Sequence, residues 1–208
     1  PDYQHEYARH AAEVADWAKT DGKSGLLEVV KQVKPTILIG TSTDHGAFTE
    51  DVVKALCEGV NRPILLPLSN PTEKIEVMPG DAIKWSDGKA LISVGIPVPP
   101  VPYKGVNYEI GQANNAMLYP GLGLGVIVSG AKHVTDGMLL AAAEAVASQV
   151  NPQDEGASLL PSVDNLRASS ATVAVAVAKQ AVKDGVATKQ PENWVQAVQY
   201  AMWQAVYE

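Results

Sequence analysis

The chain has too little cysteine for a disulfide framework, too little clustered positive charge for a nucleic-acid surface and no apolar run long enough for a bilayer. Cys57 is the one cysteine among 208 residues, so no internal disulfide can form. Set between Leu56 and Glu58 in a helical pattern, it reads as a half-buried apolar filler rather than a nucleophile. The 16 Lys and Arg are scattered and outnumbered by 23 Asp and Glu, giving a net charge of -7 and a pI near 5.1. Neutralising phosphates requires a clustered basic face, so nucleic acid is excluded as a partner in favour of small molecules or protein. No window approaches the roughly 18 consecutive apolar residues of a membrane span, and PDYQHEYARHAAEVADW at the N-terminus is charged throughout with no apolar signal core. The expectation is a cytoplasmic protein. Metal-ligand patterns are equally scarce. His5 and His10 would lie about 140° apart on a helix, His133 reads as a solvated residue before a helix, and there is no H-x-x-x-H pair or close acidic triplet. Repeats and low-complexity tracts are absent.

What is present is an ordinary globular balance, 46% apolar and 19% charged, enough for one large domain or two small ones with a real core. Residues 4–18 read as a short helix, and Ser24 as the N-cap of a second that carries Leu26, Leu27, Val29, Val30 and Val33 and is stopped by Pro35. TILIG (36–40) is a β-branched strand, followed by TSTDHG and the helical EDVVKALCEGV, whose Glu50 and Asp51 suit the positive end of the helix dipole. The unit repeats with PILLPL (63–68), SNPTEKIEV and, after the turn SDG, ALISVG (90–95). Apolar strands alternating with helices define an α/β fold, a parallel sheet covered on both faces. IPVPPVPYKGVNYEIG then reads as extended and irregular, and the rest as helical. Thr135 caps a helix to about Val150 and Asp164 another to about Asp184; Pro191 opens a third with Trp194, Val195, Val198, Met202 and Trp203 on one stripe. The expected division is an α/β part over residues 1–130 and a helical segment over 131–208 packing on it.

In an open parallel sheet, ligands lie beyond the carboxyl ends of the strands. That rule selects Gly40-Thr41-Ser42-Thr43 after the first strand, Ser69-Asn70-Pro71-Thr72 after the second, and Gly95 with the segment leading to Asn114 and Asn115 after the third. Asn114 and Asn115 stand in YEIGQANNAMLYPGLGLGV, a run apolar enough to be buried, where amides must find partners. A wall of amides and hydroxyls suits a small hydroxy or keto acid, or the carboxamide of a nicotinamide. A plainer reading stays open: Asn70-Pro71 as a turn bonding its own backbone, and Asn114-Asn115 as a loop tip. GLGLG (121–125) lacks the G-x-G-x-x-G spacing of a phosphate loop and reads as glycines permitting close backbone packing near a site. Ser42, Asp44 and His45 are too close in sequence to form a hydrolytic triad.

PTILIGTSTDHGAFTEDVV, RPILLPLSNPTEKIEV, WSDGKALISVGIPV and YEIGQANNAMLYPGLGLGVI, in this order and spacing, resemble the C-terminal part of the Rossmann-like NAD-binding domain of malic enzymes, over about Pro35 to Tyr207, with that family's helical tail following. Within that family the blocks look most like malolactic enzymes, which take L-malate to L-lactate and CO2 with bound NAD and Mn2+; the NAD-dependent malic enzymes, giving pyruvate and NADH, are the close alternative. The resemblance implies that Asn70, Asn114 and Asn115 contact L-malate or the nicotinamide side of the cofactor, and that Gly40, Thr41 and Ser42 line the NAD groove. It also implies that the dinucleotide fingerprint, the metal-binding acids and the tyrosine and lysine acid/base pair lie outside this chain, on a missing N-terminal half or a companion chain, and that the assembly is a homo-oligomer. The competing expectation is a non-catalytic module that binds only a partner half or a nucleotide fragment.

Overall fold

The computed structural model describes residues 2–17, 19 and 22–204. Strands β1 (Ile37–Gly40), β2 (Ile64–Pro67) and β3 (Leu91–Val94) run parallel, with Ile37 beside Ile64, Gly40 beside Pro67 and Ile64 beside Leu91. Helices α1 (Leu26–Val33), α2 (Glu50–Gly59) and α3 (Pro79–Trp85) flank them. The sequence dictates these ends. The Thr49 hydroxyl accepts the Val52 amide at 3.4 Å to start α2, and Pro79 occupies the first turn of α3, where its missing N–H has no carbonyl to serve. The core between sheet and helices is built on Val53, Leu56, Leu65, Ile75, Ile83 and Val94, all but inaccessible to water. Burial of each such side chain contributes about 1.5–3 kcal/mol, which is what holds four-residue strands in a sheet.

Several expectations are corrected here. The chain from 96 to 111 is irregular only in part, over 96–100 and 109–110. Antiparallel β4 (Val101–Tyr103) and β5 (Val106–Tyr108) form a hairpin turned by Lys104-Gly105, both at positive φ, and β6 (Gly111–Gln112) adds a fourth parallel strand, in the order β1-β2-β3-β6. Three-residue strands containing Pro102 are too short to show alternation, so the hairpin was hidden in the prolines. The sheet is not covered on both faces at its edge, since Ile37 and Ile39 of β1 remain 47% and 59% exposed. Residues 4–18 do not make an α-helix; Asp2–Tyr7 is a 3-10 helix and 11–16 are turns, while residue 18 lies outside the described residues. Gly25, not Ser24, is the N-cap of α1.

The second half is helical: α4 (Tyr119–Ser129), α5 (Asp136–Ala147), α6 (Leu166–Lys183) and α7 (Trp194–Ala201). Thr135 caps α5 as expected, accepting the Met138 amide at 3.1 Å. The N-cap of α6 is Asn165 rather than Asp164, after a short 3-10 turn that Ser162 caps. Pro191 precedes α7 instead of opening it, because the Asn193 side chain accepts the Gln196 amide at 3.1 Å and so sets the first turn. The apolar stripe breaks with the helix: Val198 is buried, but Val195 is 54% and Trp203, past the helix end, 74% exposed. Packing centres on α6, whose Val173 and Val177 meet Gly121 and Gly125 of α4. A Cβ on Gly125 would stand 2.7 Å from the Val177 Cβ and 2.8 Å from the Ala174 carbonyl, so two of the three GLGLG glycines serve helix contact.

Candidate functional site

The carboxyl ends of β1, β2, β3 and β6 open on one edge of the sheet, and the loops leaving them carry the residues singled out above. A residue not anticipated from sequence lies beneath two of these loops. Glu76 is fully buried (0% exposed), and its Oε1 accepts hydrogen bonds from the Ser42 amide (2.8 Å), the Ser42 hydroxyl (2.9 Å) and the Ser69 hydroxyl (2.5 Å). Its Oε2 accepts the Ser69 amide at 3.4 Å. The Ser69 hydroxyl in turn accepts the Thr43 amide at 2.9 Å, so the loops after β1 and β2 are laced together through one carboxylate. Gly40 makes room for it: a Cβ there would fall 2.6 Å from the Glu76 carboxyl carbon. Burial alone would raise the Glu76 pKa, but the hydrogen bonds from Ser69 and Ser42 outweigh it and hold the carboxyl below its usual range. The signal in the sequence was a lone acid between Ile75 and Val77, both buried, just after SNPT.

Asn70 is exposed, its amide reaching back to the Leu68 carbonyl at 3.4 Å, and the Asn70-Pro71 peptide is cis. It lies across the end of β3, because a Cβ on Gly95 would be 2.8 Å from its Nδ2. On the other side of β3, the Ala113 amide donates to the Val94 carbonyl at 2.8 Å, the last ladder bond before Asn114. The sheet thus brings Gly40, Thr41, Ser42 and Asn70 to one side of the β3 end and Asn114 and Asn115 to the other. The expectation that these asparagines are buried is wrong. Both are exposed, since they fall just past the ladder; burial resumes at Met117 and Leu122. Asn114 Oδ1 accepts the Ala116 amide at 2.9 Å, capping the 3-10 turn Asn115–Met117, which leaves its NH2 to donate outward. Beside them opens a recess of about 380 Å³ lined by Met117, Tyr119, Ala143, Val146 and Leu160.

Exposed amide and hydroxyl donors around a strand end fit a carboxylate or a carboxamide. The metal is another matter. Among the described residues no group of three or more His, Cys, Asp or Glu could hold an ion, and the buried Glu76 already has its oxygens occupied by serines, so these residues supply no Mn2+ site. Cys57 is half-buried on α2, and burial pushes its thiol pKa up, which makes it inert rather than nucleophilic. No helix among the described residues is long and apolar enough to cross a membrane.

An open parallel sheet with donor-bearing loops at its carboxyl edge defines a nucleotide-type α/β ligand-binding domain. The model of the malic enzyme NAD-binding domain matches residues 1–182, and the chain belongs to that family. It is 57% identical over 209 aligned positions, covering 100% of the chain, to NAD-dependent malic enzyme 3 of Bacillus subtilis. It is 46% identical over 193 positions, covering 93% of the chain, to the malolactic enzyme of Lactococcus lactis. The crystal structure of the malic enzyme from Pyrococcus horikoshii superposes with a TM-score of 0.68 at 28% identity, covering 88% of this chain and 38% of that one. The chain spans 37% of the length of the Bacillus protein and 36% of the Lactococcus protein.

Proposed function

We propose that these residues are the part of an NAD-dependent malic enzyme that receives the nicotinamide end of the cofactor and the dicarboxylic substrate, in the reaction L-malate + NAD+ → pyruvate + CO2 + NADH. The observation that carries this reading is that Asn70 from one loop and Asn114 and Asn115 from another flank the end of β3 on its two sides, with Ser42 on the loop laced to that of Asn70 through Glu76. Bound NAD would supply the hydride acceptor. The chain's own contribution is orientation. The amide NH2 groups of Asn70 and Asn115 donate to a malate carboxylate or hydroxyl, and Asn114 donates to the carboxamide of the cofactor. Each hydrogen bond to a charged acceptor is worth about 1.5–3 kcal/mol, so two of them hold C2 of malate against the nicotinamide. Thr41 forms the rim of the groove, and Gly40, buried against Glu76, backs its floor. The division of the chain at about residue 130 and a cytoplasmic setting belong to the same proposal.

Catalytic acid, base and Mn2+ ligands are expected on further polypeptide, for which no counterpart stands among the described residues. The exposed Ile37 and Ile39 on the edge strand support an additional element there, whether an N-terminal half, a companion chain or the partner subunit of a homo-oligomer. A malolactic outcome, L-malate to L-lactate and CO2, is the second reading, supported by the 46% identity to the Lactococcus enzyme.

The test is an NMR time course of the natural protein containing these residues, with 13C-labelled L-malate, NAD and Mn2+, while NADH absorbance is followed. Labelled pyruvate rising with NADH is the expected result. Labelled lactate without free NADH transfers the assignment to the malolactic reaction, and unchanged malate refutes both in favour of a binding module.

A further inference from the structure

Glu76 touches no solvent and so cannot meet a substrate, yet it is placed where the loops after β1 and β2 come closest. Among the described residues it forms no salt bridge, so its charge is sustained by hydrogen bonds alone. Burying an unpaired carboxylate is costly, and an apolar contact would tie two loops together at less expense. What the carboxylate adds is geometry. It is acceptor-only and can take all four serine donors at once, whereas a carboxamide would turn an NH2 against one of them. The backbone is cut to match, with Gly40 admitting the carboxyl group against β1 and Thr43 held at positive φ while its amide bonds Ser69.

We propose that Glu76 is a positioning residue of this site: by accepting hydrogen bonds from Ser42 and Ser69 together, it sets the spacing between the two loops and hence between Thr41 and the Asn70 amide. This rests on the function proposed above, because the loops matter through the cofactor and acid they receive. Glu76 acts through Ser42 and Ser69 and takes no part in bond making.

The experiment compares the natural protein with Glu76→Gln, with the pair Ser42→Ala and Ser69→Ala, and with all three changes together. Amide hydrogen exchange is read at residues 41–43 and 68–70 without ligand, and the NAD dissociation constant by titration. In Glu76→Gln those amides exchange faster, and NAD binding weakens by about tenfold or more, the scale of a lost hydrogen bond to a charged group. The triple variant binds no more weakly than Glu76→Gln, since the serines and the acid act as one unit. If Glu76→Gln does not fold, the serine pair, which removes two hydroxyls and leaves the acid, carries the same expectation for exchange and affinity. Unchanged exchange, or faster exchange with unchanged NAD affinity, or additive effects, overturns the proposal. If the natural protein binds no NAD, the functional reading fails instead, and the exchange measurement still decides whether Glu76 holds the loops.

Discussion

The contact between α4 and α6 makes a prediction whose sign depends on which glycine is changed. A methyl group on Gly125 would lie 2.7 Å from the Cβ and Cγ1 of Val177 and 2.8 Å from the Ala174 carbonyl, and reaching ordinary contact at 3.4 Å requires the helices to part by about 0.7 Å. Two of these neighbours are a Cβ and a backbone oxygen, so no rotamer change relieves them. Overpacking of this kind costs about 1–3 kcal/mol, against a gain of about 1 kcal/mol from replacing glycine by alanine inside a helix. The net for Gly125→Ala runs from about neutral to a loss of about 2 kcal/mol, or a fall in Tm of up to roughly 8 °C for a chain of this size. Gly123, two residues earlier on the same helix, has nothing within 4 Å of its added Cβ. Gly123→Ala therefore keeps the propensity gain and raises stability by about 0.5–1 kcal/mol. Urea unfolding of both variants beside the parent tests the pair. If Gly125→Ala proves as stable as Gly123→Ala, the helices are not in the contact described, and the reading of GLGLG as a packing seam is wrong.

Asn115→Ala should lower kcat/KM for malate by about 10- to 100-fold, the loss of a hydrogen bond to a charged acceptor, while leaving Tm unchanged because the side chain is exposed; equal turnover removes Asn115 from the site. Asn114→Ala should also lower Tm, since it deletes the acceptor for the Ala116 amide, and circular-dichroism melting of the two variants separates the effects. Thr135→Ala should destabilise by about 1 kcal/mol through loss of the α5 cap, read by urea unfolding. For Glu76, a folded pKa below the unfolded value of about 4.3 means its contribution is fully present above that pH and is lost as pH falls through the folded value. The stability gap between parent and Glu76→Gln should be flat above about pH 5 and narrow in acid; a gap independent of pH down to full protonation would contradict the ionised state.

The elements legible in advance were those whose signals are local. β-branched runs bounded by glycine and proline marked β1, β2 and β3, and Thr135 marked α5, because strand propensity, buried-strand hydrophobicity and capping chemistry act within a few residues of chain. The placement of the candidate loops followed in outline from the same source, since parallel strands put their following loops on one edge wherever they occur. What sequence alone did not determine were relations between distant segments. That β6 pairs with β3 through two residues, that Asn114 and Asn115 come out exposed just past it, and that Ser42 and Ser69 converge on Glu76 all depend on which strands lie side by side. Gly125 carries no mark of facing Val177, and Glu76 none of accepting four donors, until the fold brings residues 34 and 52 positions apart into contact. Local chemistry wrote the strands, the caps and the loop amides; only tertiary packing decided which of those loops come to the end of β3 and which acid accepts the serine donors of two of them.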